Sequence, residues 1–192
     1  MKTLRQDRFK TRVMKEFQTH NREQPLKSIL KVKPPEQYYA QFTSPLSGLD
    51  SYSAVVRDEK ADILRISLVN MAIYEFYLFA FGLSANFPVS RIFIYDDNRC
   101  QYLHTQDCGD SALWREKYLY CYEITLPAAT EREEYQQRIL NDLDSMFQLE
   151  VKIEKEHVVS DIYYNEKLGC PVATSWHEQT VMTIKPKNVL CS

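Results

Sequence analysis

Cys100, His104 and Cys108 stand four apart, in the order C-x3-H-x3-C. Two thiols and an imidazole are zinc ligands by type, and on a helix this spacing would bring them to one face. Cys121 would be at hand as a fourth ligand. The segment that carries them, DDNRCQYLHTQDCGDSALWRE over 96–116, is polar and reads as irregular, with a turn at Cys108-Gly109-Asp110. Helical spacing need not apply there, and structural zinc sites take ligand pairs from tighter spacings. Free thiols are therefore expected at Cys100 and Cys108, with a zinc set or a Cys100–Cys108 disulfide as the alternatives. No C-x-x-C occurs, so the simplest redox and zinc-knuckle motifs are absent. His157, Asp161 and Cys170 supply a base, an acid and a nucleophile on paper. With four histidines and five cysteines in the chain some such set always exists, and triads are defined by geometry rather than by counting.

Asp96-Asp97 follows a β-rich run, where metal-binding and catalytic acids often sit, yet D-D-N is also an ordinary turn. Glu131, Glu133 and Glu134 fall in a first helical turn, where the helix dipole alone favours negative charge. Thirteen tyrosines occur against four glycines. Neither G-x-G-x-x-G nor G-x-x-x-x-G-K is present, which excludes the usual phosphate-cradling loops. Tyr118, Tyr120 and Tyr122, with Tyr38-Tyr39 and Tyr163-Tyr164, suggest an aromatic surface. Such platforms stack on single-stranded nucleic acid or sugars. The charge distribution weighs against a polyanion: the chain carries −2 overall, residues 1–33 carry +7, and the remaining −9 falls on the body. Tyrosine also suits protein interfaces. Asp96, Asp97, Tyr118, Tyr120 and Tyr122 are thus the expected interaction residues, facing a protein partner. No catalytic residue, metal or cofactor is expected. A membrane-surface or nucleic-acid role for the basic arm 1–33, and a thiol- or zinc-dependent enzyme built on Cys100, His104 and Cys108, are the two alternatives.

The elements that must position these residues follow from periodicity. Phe9, Val13 and Phe17, with Met14 beside them, mark one stripe of a basic amphipathic helix. Residues 19–50 read as a proline-interrupted connector, in which LKSILKV forms a short strand or a single helical turn. ADILRISLVNMAIYEFYLFAF, residues 61–81, reads as a largely apolar helix begun by Asp58 or Asp62 and capped by Gly82. Arg65, Asn70 and Glu75 interrupt it too often for a membrane span, so it is expected at the centre of a core. SRIFIYD reads as a strand, as does the alternating run Tyr118–Leu126. Thr130 and Glu133 form a T-x-x-E capping box ahead of a helix striped by Tyr135, Ile139, Leu143 and Met146. Leu149, Val151 and Ile153 then alternate with Glu150, Lys152 and Glu154. This strand–helix–strand passage predicts a β-α-β unit with both strands in the sheet beneath the helix. HVVSDIYYN continues as strand, and 172–185 reads as a hairpin or two short strands.

The expected architecture is α+β: a connector-bearing basic helix over 1–50, then one domain over 51–192 with a mixed sheet of four to six strands and two main helices, about 60–81 and 130–147. Two passages over roughly 55–160 resemble a poorly characterised bacterial envelope domain, itself distantly similar to the short N-terminal domains of secretins and TonB-dependent receptors. The motif residues are Tyr122, Ile124 and Pro127 before the helix, and Phe147, Leu149 and Val151 after it. The resemblance implies a non-catalytic accessory domain of an envelope protein, sometimes joined to thioredoxin-like modules or sensor-type metallopeptidases. Met1 is followed by no apolar leader, which by itself implies the cytoplasm; a processed or truncated chain implies the periplasm or envelope.

Overall fold

A computed structural model describes residues 27–165 and 170–187, with backbone alone for 159–165 and 171–176. The basic helix expected near Phe9–Phe17 lies outside the described residues. The fold class is α+β, as expected. Its strands divide between a four-stranded antiparallel sheet, β1-β5-β3-β2, and a three-stranded mixed sheet, β4-β7-β6. Two compact units result: of the described residues, 27–86 and 100–146 form the first, and 87–99 with those from 147 onward form the second.

In the first unit, β1 (Tyr39–Thr43), β2 (Tyr52–Asp58), β3 (Ile63–Met71) and β5 (Tyr120–Leu126) form the sheet. The segment expected as one helix over 60–81 is instead strand β3 followed by the short helix α1 (Ile73–Ala80). The physical reason is a period of two. Leu64, Ile66 and Leu68 are wholly buried on one face, while Arg65 and Ser67 alternate onto the other. Asp58 and Asp62 cap no helix and instead build the β2–β3 turn. The Asp58 carboxylate accepts the Lys60 and Ala61 N–H groups, and Asp62 takes φ 51°. Gly82 does terminate α1, at φ 69°, with its N–H on the Phe79 carbonyl and the Leu83 N–H on the Leu78 carbonyl. None of the helices among the described residues is long and apolar enough to cross a membrane.

Helix α3 (Arg132–Phe147) buries Ile139 and Leu143 completely. It starts later than the T-x-x-E spacing places it: Tyr135 N–H bonds the Glu131 carbonyl, and the Thr130 carbonyl instead receives Arg57 Nη2 at 2.9 Å. Tyr122 Oη donates to Asp142 Oδ2 at 2.6 Å and Tyr77 Oη to Asp144 Oδ1 at 3.2 Å, so β5, α1 and α3 are joined over one sheet face. Phe42 of β1 completes that face, 4.6 Å from the Tyr122 ring and 6.2 Å from Phe76.

The expected β-α-β unit does not form. β5 is already paired on both edges, by β1 and by β3, so it has no edge for the strand after α3. That strand, β6 (Leu149–Asn165), pairs instead with β7 (Cys170–Pro186) in the second unit. The two make one long antiparallel ribbon, from Leu149 opposite Pro186 to Asn165 opposite Cys170, so residues 172–185 are one strand and not a hairpin. The short edge strand β4 (Ile92–Ile94) runs parallel to β7 at its base. Segment 96–116, expected to be irregular, includes most of α2 (Ser111–Tyr118). Asp110 begins α2 by accepting the Ala112 and Leu113 N–H groups, a start signal legible in Asp110-Ser111. Residues 27–37 show no strand or helical turn, and LKSILKV forms only bends over its described part.

One pH effect follows from the β2–β3 turn. The Tyr38 hydroxyl, then the Ala128 N–H, hold the Asp62 carboxyl below its ordinary range. A carboxyl lowered in the folded state contributes stability above its unfolded value, and that stability is lost as pH falls through the folded value. Asp62→Asn keeps the left-handed backbone and cannot titrate. The difference in urea midpoint between the wild type and this variant should shrink below about pH 4. A constant difference from pH 6 to pH 3 would reject the coupling.

Candidate functional site

Strand β4 alternates cleanly: Ile92 and Ile94 are buried, while Phe93 is 37% and Tyr95 60% exposed. β4 is also an edge strand, and the Tyr95 N–H on the Ile184 carbonyl at 2.9 Å ends its pairing with β7. Val89, in the turn that precedes it, is exposed as well. Lys185 Nζ stands 4.8 Å from the Tyr95 ring centroid, a cation–π contact. Beyond Ile94 the chain turns through Asp96-Asp97-Asn98, with Asp96 Oδ1 accepting the Asn98 N–H at 2.8 Å. The turn opens a hollow of about 530 Å³ lined by Ile94, Tyr95, Asp96, Asp97, Arg99 and Pro186. It is wide and open to solvent, with both charge signs on its wall. Such a surface can take an extended chain or a loop; it does not enclose a small molecule.

The expected interaction residues separate. Asp96 and Asp97 line this hollow. Tyr122 is wholly buried, its hydroxyl held by Asp142, and burial raises its pKa, so it is a core residue and not a contact for a partner. Alternation of Tyr118, Tyr120 and Tyr122 promised one aromatic strand face, but Tyr118 belongs to α2 and packs against Trp114, ring centroids 6.1 Å apart. Tyr120 is half-buried. Phe93 and Tyr95 were missed as site residues, although two aromatics alternating with isoleucines in a short strand carried the signal.

Cys100 and Cys108 are joined by a disulfide, with 5.5 Å between their Cα atoms. This overturns the expectation of free thiols, and it takes both sulfurs from the proposed zinc set. Among the described residues no group of His, Cys, Asp and Glu could hold a metal ion. The reason lies in the backbone. Segment 99–108 folds as two single 3-10 turns instead of a helix, so the two cysteines face each other across a short loop. His104 points elsewhere, its Nε2 3.2 Å from the Gly109 carbonyl and its ring edge-on to Trp114. Trp114 Nε1 donates to the Cys100 carbonyl at 2.6 Å, which ties the loop to α2.

The first unit holds a second polar cluster, and it is structural. Glu123 of β5 is wholly buried. Its Oε1 accepts Ser28 Oγ at 2.6 Å and Tyr39 Oη at 2.7 Å; its Oε2 accepts the Ile29 N–H and Ser67 Oγ, each at 2.9 Å. Burial first, then the bond to Glu123, pushes the Tyr39 hydroxyl up to about 12, against the Ser28 hydroxyl and, less, the charge of Arg65. Every acceptor position is used from within the chain, so the carboxylate acts as a tether and is not available to a substrate.

Comparison of the chain with protein-family models, with curated proteins and with solved structures found no match.

Proposed function

We propose that this chain is a non-catalytic interaction domain that receives a protein partner on the outer side of β4 and the adjoining Asp96–Asp97 hollow. The exposed pair Phe93 and Tyr95, on an edge strand beside a mixed-charge hollow, carries the reading. Exposed aromatics flanked by charge are the usual anchors of protein interfaces, and an edge strand offers backbone groups to an added strand. The accessory role in a bacterial envelope protein, implied by the resemblance over 55–160, belongs to the same proposal. The Cys100–Cys108 disulfide supports it, since disulfides persist in oxidising compartments.

A photo-crosslinking residue placed at position 93 or 95, in cells that express the chain naturally, tests the site. Both positions should capture the same single protein, a control at Glu134 on exposed α3 should not, and Asp97→Arg should weaken the capture. No adduct at 93 and 95, or the same adducts at 134, would reject this surface. Tyr95→Ser should change folding stability by less than about 1 kcal/mol, because an exposed interface residue contributes little to the core.

A further inference from the structure

We infer that the Cys100–Cys108 disulfide is a thiol-exchange site in which Cys100 is the sulfur attacked and Cys108 the sulfur released. The inference is independent of the β4 surface. The environment of the two sulfurs is unequal. Cys108 Sγ lies 3.4 Å from the Thr105 backbone nitrogen, which donates to it, and 3.1 Å from Thr105 Oγ1. The Leu103 carbonyl is farther, at 3.8 Å. Cys108 also closes the 3-10 turn that Thr105 begins, so the loop backbone fixes the N–H contact and sets the Thr105 hydroxyl beside the same sulfur. Two hydrogen-bond donors aimed at a sulfur favour its thiolate, and the thiol that is the better anion leaves faster in exchange. Among the described residues no hydrogen bond reaches Cys100 Sγ. Residues 104–107 are exposed and both cysteines are partly exposed, so a small thiol can approach the bond.

The chemistry balances with a low-molecular-weight thiol as the co-reactant. A thiolate attacks Cys100 Sγ; the Cys100–Cys108 bond breaks, and its electron pair leaves on Cys108 as a thiolate. The product is a mixed disulfide on Cys100. A second thiolate then attacks the sulfur contributed by the first, which releases the oxidised small disulfide and Cys100 thiolate. Two thiols are oxidised and one protein disulfide is reduced. Buried Cys121, whose thiol is pushed up by desolvation, takes no part.

The test uses the full chain with Cys170 and Cys191 changed to serine, so that the exposed thiol at 170 cannot shuffle. Glutathione is added under native conditions, the reaction is trapped with an alkylating agent, and the modified peptide is identified by mass. The expected adduct is glutathione on Cys100 with alkylated Cys108. Thr105→Val removes the hydroxyl donor and should slow exchange about 3- to 10-fold. Unchanged far-ultraviolet dichroism and Trp114 fluorescence in oxidised Thr105→Val establish that the variant is folded; Thr105→Ser, which restores a hydroxyl, should recover the rate and serves if the valine variant is not. An adduct mainly on Cys108, equal rates for valine and serine at position 105, or a bond that resists reduction until the chain is unfolded in urea would each overturn the inference.

Discussion

Replacing Glu123 by alanine is expected to lower folding stability by about 3–5 kcal/mol, because four hydrogen-bond donors lose one charged acceptor at once. The carboxylate is wholly buried and accepts four donors, so alanine leaves two serine hydroxyls, the half-buried Tyr39 hydroxyl and the Ile29 N–H without their acceptor. Two of the four come from residues 28 and 29, more than ninety positions away in the chain, and Ser28 Oγ also accepts the Leu30 N–H at 3.2 Å. The loss should therefore appear first as release of the segment before β1. Native-state hydrogen exchange at the Ile29 amide should accelerate well before the amides of β3 respond. Glu123→Gln keeps the shape and one acceptor oxygen and should lose roughly half as much. A change in urea midpoint worth under about 1 kcal/mol for the alanine variant, or an unchanged Ile29 amide, would show that the tether does not hold this segment.

Asn70→Ala should be nearly as damaging, at about 3–4 kcal/mol, for a different mixture of reasons. Asn70 lies at a register shift of β3 between Leu68 and Met71, with φ 52°. Asparagine tolerates that left-handed conformation where alanine pays the clash of its Cβ. The side chain is buried and does the work of a missing strand. Its Oδ1 accepts the Leu46 N–H at 2.8 Å and the Cys121 thiol at 3.2 Å, and its Nδ2 donates to the Leu46 and Leu49 carbonyls, each at 2.8 Å. The Asn70 carbonyl takes the Ser51 hydroxyl. Loop 44–51 thus covers Tyr52, Ala54, Val69 and Cys121 with Leu46 and Leu49 because Asn70 holds its backbone. Asn70→Gly restores the conformation without the bonds and should recover about 1 kcal/mol of the alanine loss. Asn70→Asp keeps the conformation but sets a carboxylate against two carbonyls, and should be no better than alanine. Thermal unfolding of the three variants separates conformation from bonding. Equal stability of the glycine and alanine variants would remove the conformational part of the account.

How much of this was legible beforehand depended on whether a local rule had a competitor. Helix α3 and strand β4 were read directly, because Ile139 and Leu143 at helical spacing and Ile92 and Ile94 at strand spacing admit one reading each. Segment 61–81 admitted two. Its apolar density suggested a helix, and the alternation of Leu64, Ile66 and Leu68 with Arg65 and Ser67, which decides for a strand, is a weaker visual signal in so greasy a run. The candidate site was half legible. The Asp96-Asp97-Asn98 turn was legible from its residue types, whereas burial of Tyr122 was not, since an amphipathic ring on an alternating strand looks the same facing a helix as facing water.

The sequence by itself determined the α+β class, the apolar stripe of α3, the Gly82 stop and the turn after β4, because each rests on backbone preference or on the period of neighbouring side chains. Which strands share a sheet, which cysteines meet and which tyrosines reach solvent were decided only in three dimensions. β5 has two edges, and β1 and β3, both far earlier in the chain, occupy them; β6 must then find its partner in β7. Strand pairing is a competition for hydrogen-bonding edges among distant segments, and no local period records who wins it.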